Sequence, residues 1–323
     1  MIRIGIVGTG GMGTVHYTNY QYIEGCEVAA VCGNAEKAAG WGLPCYSDIS
    51  RMAKEERLDV IDVCTPTFLH YEQVKEALQW CHVICEKPLT LTCREAEELF
   101  EEAQNRGHHL YVAQVLRFFP EYKVLEKVIG EKTYGEILDG YFWRLSARPK
   151  WTSGGWMTDK SKSGLVPFDL HIHDLDFLVS LLGMPKKEHY TTAQASGKDM
   201  AQQYRFLYEF GRGKGNVNIC AEASWYTGNY PWSAGYRVCF EKAVLEARAG
   251  ALTVYREDRE PENLDITEKR QIPTGINIPP TGVYLEELEH FISCIQRDED
   301  SDLIKKEQIL GVLSILEKMN DNL

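Results

Sequence analysis

The segment Gly8-Thr-Gly-Gly-Met-Gly13 constrains this chain most, because of what stands on either side of it. The apolar run at residues 2–7 predicts a buried strand, and the spacing over residues 12–24 predicts a helix. Between a strand and a helix, Gly-x-Gly-x-x-Gly permits a sharp turn, approach of a pyrophosphate and close helix packing. The alternative is a glycine-rich turn without a ligand. The candidate cofactor residues of this turn are Gly8, Thr9, Gly10, Gly11, Met12 and Gly13.

Length and charge narrow the class of protein. A chain of 323 residues exceeds the usual size of one core, so we expect two domains. The formal charge of −12 argues against a nucleic-acid binder and favours small-molecule partners. We find no apolar run long enough for a membrane span, and the N-terminus already reads as strand rather than signal peptide. The ten cysteines form no Cys-x-x-Cys pair, so we expect reduced thiols and a cytoplasmic protein.

Strand-like and helix-like segments alternate up to about residue 118. Apolar runs at residues 27–32, 59–64, 82–85 and 110–113 predict parallel strands, with helices between them. Ser47 is a candidate helix cap, and Thr92 with Glu95 forms a capping-box pattern. We therefore predict a Rossmann domain over residues 1–118.

The pattern changes from about residue 136. A long strand at 136–147 and a loop at 148–163 lead to a predicted helix at 167–182, followed by several strand-like runs with short turns. Strands without intervening helices favour an antiparallel sheet. Two helices, at about 284–297 and 303–319, complete the pattern. We predict an α+β domain over residues 119–323, with a largely antiparallel open sheet, for substrate binding and oligomerisation.

The residues after the second strand bear on the choice between NAD and NADP. A dinucleotide fold usually places an acid here, which bonds the ribose hydroxyls and repels a 2′-phosphate. This chain has Gly33 and Asn34 instead, followed by the basic Lys37. The site therefore excludes neither cofactor, although Lys37 could equally be a solvated surface residue.

Lys87 lies at the carboxyl end of a predicted parallel strand, the edge at which such sheets bind ligands. Its cation could stabilise a developing alkoxide. Glu86 would help to fix the nicotinamide ring, and Gln114, after the last strand of the domain, is a further candidate for cofactor contact. A structural Lys-Pro turn is the alternative.

Asp169 and His173 are four residues apart, so on a helix they share one face. A carboxylate beside an imidazole fixes its tautomer and raises its basicity, which suits a general base for a carbinol proton. His171 and Asp174 project from other faces. A metal site is a weaker alternative, because His171 and His173 point nearly opposite ways and cannot share an ion; its candidate ligands are Asp169, His171, His173, Asp174 and Asp176.

At these residues the chain resembles the Gfo/Idh/MocA family, the oxidoreductases related to glucose–fructose oxidoreductase and inositol dehydrogenase. The glycine turn matches its cofactor turn, Thr65, Pro66 and His70 its second cofactor loop, and Glu86-Lys87-Pro88 its signature lysine. Asp169 and His173, followed by Asp176, match its catalytic helix. Two positions depart from the family pattern: Gly33 replaces an acid common in relatives, and His171 replaces a small residue.

The resemblance implies an NAD- or NADP-dependent dehydrogenase acting on a sugar, inositol or related cyclic polyol, and a homodimer or homotetramer. His173 would take the hydroxyl proton, Asp169 would orient it and Lys87 would stabilise the oxyanion. Two alternatives stay open: transient oxidation that assists elimination or glycoside cleavage, and a non-catalytic cofactor or ligand sensor. The further candidates to line a substrate pocket are Arg117, Trp151, Trp156, Tyr236 and Arg237.

Overall fold

The computed structural model describes residues 1–150, 152–194, 200–212, 215–275 and 279–321. The chain forms two compact units, Met1–Phe118 with Glu268–Ser314, and Phe119–Thr267 with Ile315–Leu323. The chain therefore returns to its first unit after residue 267. A single domain boundary at residue 118 does not account for this return. In the described residues no helix is both long and apolar enough to cross a membrane.

The first unit contains a six-stranded sheet in which every paired strand runs parallel to its neighbour. Its strands are β1 (Ile2–Val7), β2 (Cys26–Cys32), β3 (Cys45–Tyr46), β4 (Val60–Val63), β5 (His82–Cys85) and β6 (Leu110–Val112). Their order is β3-β2-β1-β4-β5-β6, so the winding reverses between β1 and β4. Ligands bind at the carboxyl ends of strands beside such a reversal. The predicted doubly wound parallel sheet is confirmed.

Helices connect these strands, and one of the two helix N-caps predicted from the sequence is correct. They are α1 (Gly11–Tyr20), α2 (Ala35–Trp41), α3 (Ile49–Glu56), α4 (His70–Ala77) and α5 (Cys93–Arg106). Thr92 Oγ1 accepts a hydrogen bond from Glu95 N, which confirms the cap of α5. Ser47 as the cap of α3 is wrong: Asp48, the residue immediately before the helix, accepts from Arg51 N at 2.6 Å.

The second unit is built on an eight-stranded sheet with the order β14-β13-β12-β11-β7-β10-β9-β8. Its helices are α6 (Pro120–Gly130), α7 (Lys160–Ser163) and α8 (Ile172–Leu182). Its strands are β7 (Ile137–Ala147), β8 (Lys187–Ala193), β9 (Gln203–Arg212), β10 (Gly215–Tyr226), β11 (Ser233–Phe240), β12 (Val244–Arg248), β13 (Ala251–Arg256) and β14 (Arg259–Leu264). Only β7 and β10 pair in parallel among the described strands of this sheet, so the largely antiparallel sheet is confirmed.

Alternation along the strands gives this sheet one buried and one exposed face. In β9, Tyr204, Phe206 and Tyr208 are buried, whereas Arg205 and Leu207 between them are exposed. Successive side chains of a strand point to opposite faces, so the aromatic residues form the core side. Helix α8 contacts β9.

Two helices follow the second sheet, α9 (Val283–Arg297) and α10 (Lys306–Asp321). Helix α9 packs against α1 within the first unit. Its buried residues include Leu285, Leu288, Phe291 and Ile292, which recur at helical spacing. Helix α9, which the sequence analysis assigned to the second domain, therefore completes the core of the first unit, whereas α10 from Ile315 onward belongs to the second unit.

Candidate active site

The glycine turn joins β1 to α1 with a geometry that only glycine permits at two positions. Gly8 has φ +98°, and a Cβ built on Gly13 would lie 1.9 Å from the Gly8 carbonyl oxygen. Gly10 caps α1, and a Cβ there would meet no atom within 4 Å. The first turn of α1 contains no acidic residue. This open, uncharged helix N-terminus fits a pyrophosphate.

The end of β2 adjoins this turn. The Thr9 hydroxyl oxygen accepts from Asn34 N at 2.9 Å, and a Cβ on Gly33 would lie 2.9 Å from that oxygen. The Asn34 side chain accepts from Lys37 N at 3.0 Å and thereby caps α2. An open groove of about 600 Å³ is lined by Thr9, Gly10, Asn34, Glu36 and Lys37. The predicted ribose-side residues are thus together, and a side chain at Gly33, the position that commonly holds an acid, would press on Thr9.

His70 links the loops that follow β4 and β5. Its Nδ1 lies 2.8 Å from the Pro88 carbonyl oxygen, and its Nε2 lies 2.8 Å from the Thr65 carbonyl oxygen. The side chain is buried, and this burial lowers its pKa. The Thr65 hydroxyl donates to Gln73 Oε1 at 2.5 Å. The second predicted cofactor loop is therefore tied to the turn that carries Lys87.

Lys87 directly follows Glu86 at the end of β5. Lys87 is half-buried between the buried residues Glu86 and Pro88, and its backbone N–H donates to Glu86 Oε2 at 3.1 Å. Glu86 Oε1 lies 3.2 Å from His16 Nε2. The Glu86 carboxylate thus bridges the backbone of Lys87 and an imidazole of α1.

His16 belongs to a buried polar group that we call the His16 array. Its members are His16, Tyr20, Asp62, Cys64 and Glu86. His16 Nδ1 lies 2.7 Å from Asp62 Oδ2, and the Tyr20 hydroxyl donates to the same oxygen at 2.8 Å. The Cys64 thiol lies 3.4 Å from Asp62 Oδ1 and 3.3 Å from His16 Nδ1. Burial opposes charge on His16, but the Asp62 carboxylate prevails and raises the pKa of His16 well above its ordinary value.

In the second unit, Asp169 lies in a π-helical turn, Pro167–His171, that runs into α8. Within residues 168–174, only Asp169 and His173 are half-buried, while the other five are buried. Both polar side chains therefore retain access to solvent from an otherwise packed segment. Single π turns inside α-helices are frequent at functional sites.

The residues between and after this pair face the sheet. His171 is fully buried and stacks on Phe206 with ring centroids 3.6 Å apart, and its Nε2 lies 2.6 Å from the Tyr208 hydroxyl. Asp174 forms a buried bidentate pair with Arg144 of β7, at 3.0 and 3.1 Å. His171 and Asp174 thereby fix the helix on the sheet. These contacts also occupy two of the candidate metal ligands.

Comparison with known proteins agrees with this arrangement. Residues 2–114 match the model described as the oxidoreductase family with an NAD-binding Rossmann fold, and residues 122–246 match the GFO/IDH/MocA C-terminal domain. The chain belongs to the Gfo/Idh/MocA oxidoreductase family. It therefore carries that family's NAD-binding Rossmann domain, as the glycine turn predicts.

Two curated relatives give the family context. The D-glucoside 3-dehydrogenase of Escherichia coli K12 is 31% identical over 197 residues, which is 57% of this chain and 55% of the relative. The 2,7-anhydro-N-acetylneuraminate hydratase of the same strain is 29% identical over 188 residues, 57% of this chain and 50% of the relative. The chain thus spans about half the length of these curated relatives.

Solved structures share the fold over nearly the whole chain. The UDP-N-acetylglucosamine 3-dehydrogenase of Acidithiobacillus ferrooxidans has a TM-score of 0.80 at 22% identity, covering 99% of this chain and 97% of that one. Levoglucosan dehydrogenase in complex with NADH and levoglucosan has a TM-score of 0.82 at 18% identity, covering 99% and 96%.

Two residues predicted to line the substrate pocket, Arg117 and Tyr236, are buried and hydrogen-bonded to other parts of their own units. Arg117 is buried and donates to the Leu303 carbonyl and to Gln308 Oε1. Tyr236 is fully buried in the sheet core, where its hydroxyl donates to the Glu121 carbonyl. These contacts give both side chains structural partners, so we leave them out of the proposed substrate set.

The remaining predicted residues differ in their burial and in their location in the fold. Arg237 is exposed on the sheet face opposite the aromatic core, so the structure does not bring it together with His173. Trp156 is half-buried in the short helix Ser153–Thr158, and Gln114 is buried after β6. Trp151 lies outside the described residues. Trp156 and Gln114 stay predictions.

The sequence analysis missed His16 and Asp62. A signal for Asp62 was present, because a carboxylate inside the buried run Val60–Val63 needs a polar partner. Its partner is 46 residues away in the sequence, on α1. Spacing alone therefore could not pair them.

Proposed function

We propose that the protein is an NAD- or NADP-dependent dehydrogenase acting on a secondary hydroxyl of a sugar or cyclic polyol. The observation that carries this proposal is the half-buried pair Asp169 and His173 in an otherwise packed helical segment. The family supports it, since relatives named as sugar dehydrogenases are among the proteins this chain resembles.

A bound nicotinamide cofactor would supply the hydride acceptor for oxidation of the carbinol carbon. His173 takes the hydroxyl proton, so the alcohol loses one hydride and one proton and becomes a ketone. Asp169 orients the imidazole and stabilises it once protonated. The Lys87 ammonium stabilises the negative charge that develops on the oxygen. In reduction the same groups act in reverse order.

The first unit supplies the proposed cofactor site. The turn at Gly8–Gly13 would hold the pyrophosphate, and Asn34 and Lys37 would border the adenosine ribose. Thr65, Pro66, His70 and Glu86 would shape the nicotinamide side. Because Gly33 and Asn34 follow β2 where such folds commonly place an acid, we propose weak discrimination between NAD and NADP.

A second candidate is transient oxidation that assists an elimination or hydration without net redox change. The hydratase among the relatives favours it. A non-catalytic sensor would have no need of a lysine, an aspartate and a histidine at all three matching positions, which weighs against that alternative.

A substrate screen that follows nicotinamide absorbance separates these functions. The panel is pyranosides, nucleotide sugars, anhydrosugars and inositols, each with NAD and with NADP, and product formation is followed in parallel by mass spectrometry. A substrate-dependent absorbance change supports the dehydrogenase. Cofactor-dependent turnover without net absorbance change supports the elimination, and cofactor binding with neither signal contradicts both.

We further propose a homodimer or homotetramer formed through the exposed face of the second sheet. That face presents Leu138, Leu207 and Tyr255, which are 55%, 43% and 41% exposed. Light scattering on the purified protein and on Leu207→Glu tests this proposal, because a charge there should shift the mass towards the monomer. A wild-type monomer would contradict it.

A further inference from the structure

Both ring nitrogens of His16 face carboxylates. Nδ1 lies 2.7 Å from Asp62 Oδ2, and Nε2 lies 3.2 Å from Glu86 Oε1, with the imidazole fully buried. A neutral imidazole has one N–H and one lone pair, so it would turn its lone pair towards one of the two carboxylates. An imidazolium is attracted by both carboxylates: its Nδ1 is within hydrogen-bond distance of Asp62, whereas its Nε2 meets Glu86 as an ion pair without hydrogen-bond geometry. The geometry therefore favours a charged His16 between Asp62 and Glu86.

The other groups that face His16 agree with this assignment. The Tyr20 hydroxyl and the Cys64 thiol both lie against Asp62, and burial raises the pKa of each well above its ordinary value, so both stay neutral donors. Glu287 of α9 is also fully buried, and burial followed by the Glu86 charge raises its pKa well above the usual range. Glu287 is thereby kept as a neutral carboxylic acid.

The array ends at the backbone of Lys87. Asp62 orients His16, His16 holds Glu86 Oε1, and Glu86 Oε2 accepts the Lys87 N–H at 3.1 Å. A buried ionic group is seldom retained for stability alone, because well-packed apolar replacements are often neutral or stabilising. A functional reason to retain the His16 array is that it fixes Lys87, whose ammonium acts in the proposed reaction.

We propose that His16 is a positioning residue, whose ion pair with Glu86 sets the placement of Lys87. This inference rests on the proposed function, in which Lys87 stabilises the oxyanion. His16 touches neither substrate nor cofactor in this role, so its effect on turnover is transmitted entirely through Lys87.

Two isosteric variants separate the two contacts of His16. In His16→Gln the amide nitrogen takes the place of Nε2 and keeps an N–H group near the Glu86 carboxylate. In His16→Asn it takes the place of Nδ1 and can donate only to Asp62. We expect kcat to fall about 10- to 100-fold in His16→Asn, because small misplacements of a catalytic group cost up to about 100-fold. His16→Gln should retain kcat within about fivefold of the wild type, since a neutral N–H donor replaces the charged one opposite the same Glu86 carboxylate.

The Lys87→Ala background shows through which residue His16 acts. There, His16→Asn should change kcat by less than about twofold, because effects of residues that act as a unit do not add. Asn19→Ala is the matched control: Asn19 is also fully buried on α1, but it donates to the Val15 carbonyl. Its effect should appear in stability and should be the same in both backgrounds. Equal kcat loss from His16→Asn with and without Lys87 overturns the proposal.

A readout without turnover keeps this inference separate from the proposed function. The full-length protein is reductively methylated with ¹³C-formaldehyde, and the dimethyl-Lys87 signal is assigned by its loss in Lys87→Arg. We expect this signal to shift in His16→Asn and to stay in place in His16→Gln and Asn19→Ala. An unshifted signal in His16→Asn overturns the inference even if no substrate is found. A wild type without hydride transfer and with the expected shifts contradicts only the proposed function.

One competing occupant of the array is tested on the same samples. The ligand atoms of His16, Asp62 and Cys64 all lie within 4.8 Å of one another, a spacing that a metal ion could also use. A histidine that binds a metal ion must be a neutral imidazole, whereas the proposal makes His16 an imidazolium. We therefore expect less than about 0.1 zinc per chain by elemental analysis. Stoichiometric zinc that is lost in Cys64→Ala overturns the imidazolium and with it the positioning role.

Discussion

Gly13 lies so close to Gly8 that a Cβ atom on Gly13 would stand 1.9 Å from the Gly8 carbonyl oxygen. The backbone atom cannot move without displacing the turn itself. Close packing of α1 on the turn and open space at Gly10 are therefore separate requirements, met by different glycines of one motif.

Alanine substitutions should separate these two requirements. Gly13→Ala should lower the free energy of unfolding by about 1–3 kcal/mol, the usual cost of overpacking, and weaken NAD binding as well. Gly10→Ala should lower the free energy of unfolding by no more than about 1 kcal/mol, because alanine is a poorer N-cap than glycine, yet raise the Kd for NAD about tenfold or more. Urea unfolding and cofactor fluorescence titration measure the two effects.

Gly40→Ala is the matched control, because Gly40 also has open space but lies in α2, away from the turn. It should leave the Kd unchanged. Unaltered NAD affinity in Gly10→Ala would show that the pyrophosphate does not approach this glycine.

Cofactor choice should respond to Asn34. Asn34→Asp keeps the cap of α2, because Asp and Asn are comparable N-caps, and adds the acid that favours a free ribose 2′-hydroxyl. We expect the NAD preference, measured as the ratio of the two Kd values, to rise about tenfold or more, which is about 1.4 kcal/mol. Lys37→Gln should weaken NADP binding and spare NAD.

The wild type itself sets the baseline for this prediction. A preference for NAD above about a hundredfold, or roughly 2.7 kcal/mol, would show that another residue already rejects the 2′-phosphate. Gly33→Asp is the contrasting variant. It should weaken both cofactors, since its Cβ would press on Thr9.

Turnover should depend on His173 much more than cofactor binding does. His173→Ala should lower kcat about 10²- to 10⁴-fold, the usual contribution of a positioned acid–base group, with the Kd for NAD nearly unchanged. Wild-type oxidation should become faster with rising pH as the base loses its proton, and the variant should lose this dependence. Lys87→Ala should also lower kcat, and the double variant should cost less than the sum of the two.

His108→Ala provides the control, because His108 is a half-buried histidine just after α5 and is not among the proposed site residues. Wild-type turnover in His173→Ala on a verified substrate would remove the helix from the mechanism and leave the proton to Lys87.

The sequence predicted those elements whose cause is local. The strand β1, the glycine turn and the start of α1 follow from an apolar run next to glycines, and Thr92 caps α5 as its spacing indicates. The strand β14 has no such signal, because all but one of its residues are exposed and its charged sequence does not alternate. An edge strand of this kind forms because β13 offers it backbone partners.

The site was predictable where a residue's role depends on its neighbours in the chain. Lys87 and the pair Asp169 and His173 follow from strand ends and helical spacing. The partners of His16 and the return of α9 to the first unit depend on contacts between distant segments. An apolar helix face indicates that it is buried, but it does not specify the surface that buries it.

The pKa of His171 predicts an acid-sensitive second unit. Burial, with the nearby charge of Arg144, lowers that pKa to about 3, whereas an unfolded histidine titrates near 6.5. Between these values the unfolded state binds the extra proton, so stability is lost as the pH falls. The slope approaches about 1.4 kcal/mol per pH unit for one such group.

His171→Phe should remove this slope because the phenyl ring keeps the stack on Phe206 but cannot titrate. At pH 7.5 the variant should lose about 1–3 kcal/mol, since the buried Tyr208 hydroxyl no longer has its imidazole partner. Adding Tyr208→Phe should recover most of that loss. Urea unfolding at several pH values between about 4.5 and 7.5 covers the upper part of the window between the two pKa values. Tyr208→Phe alone, which leaves His171 able to titrate, should keep the wild-type slope. If His171→Phe with Tyr208→Phe stays as acid-sensitive as the wild type, the sensitivity belongs to another group, and the stack on Phe206 is packing alone.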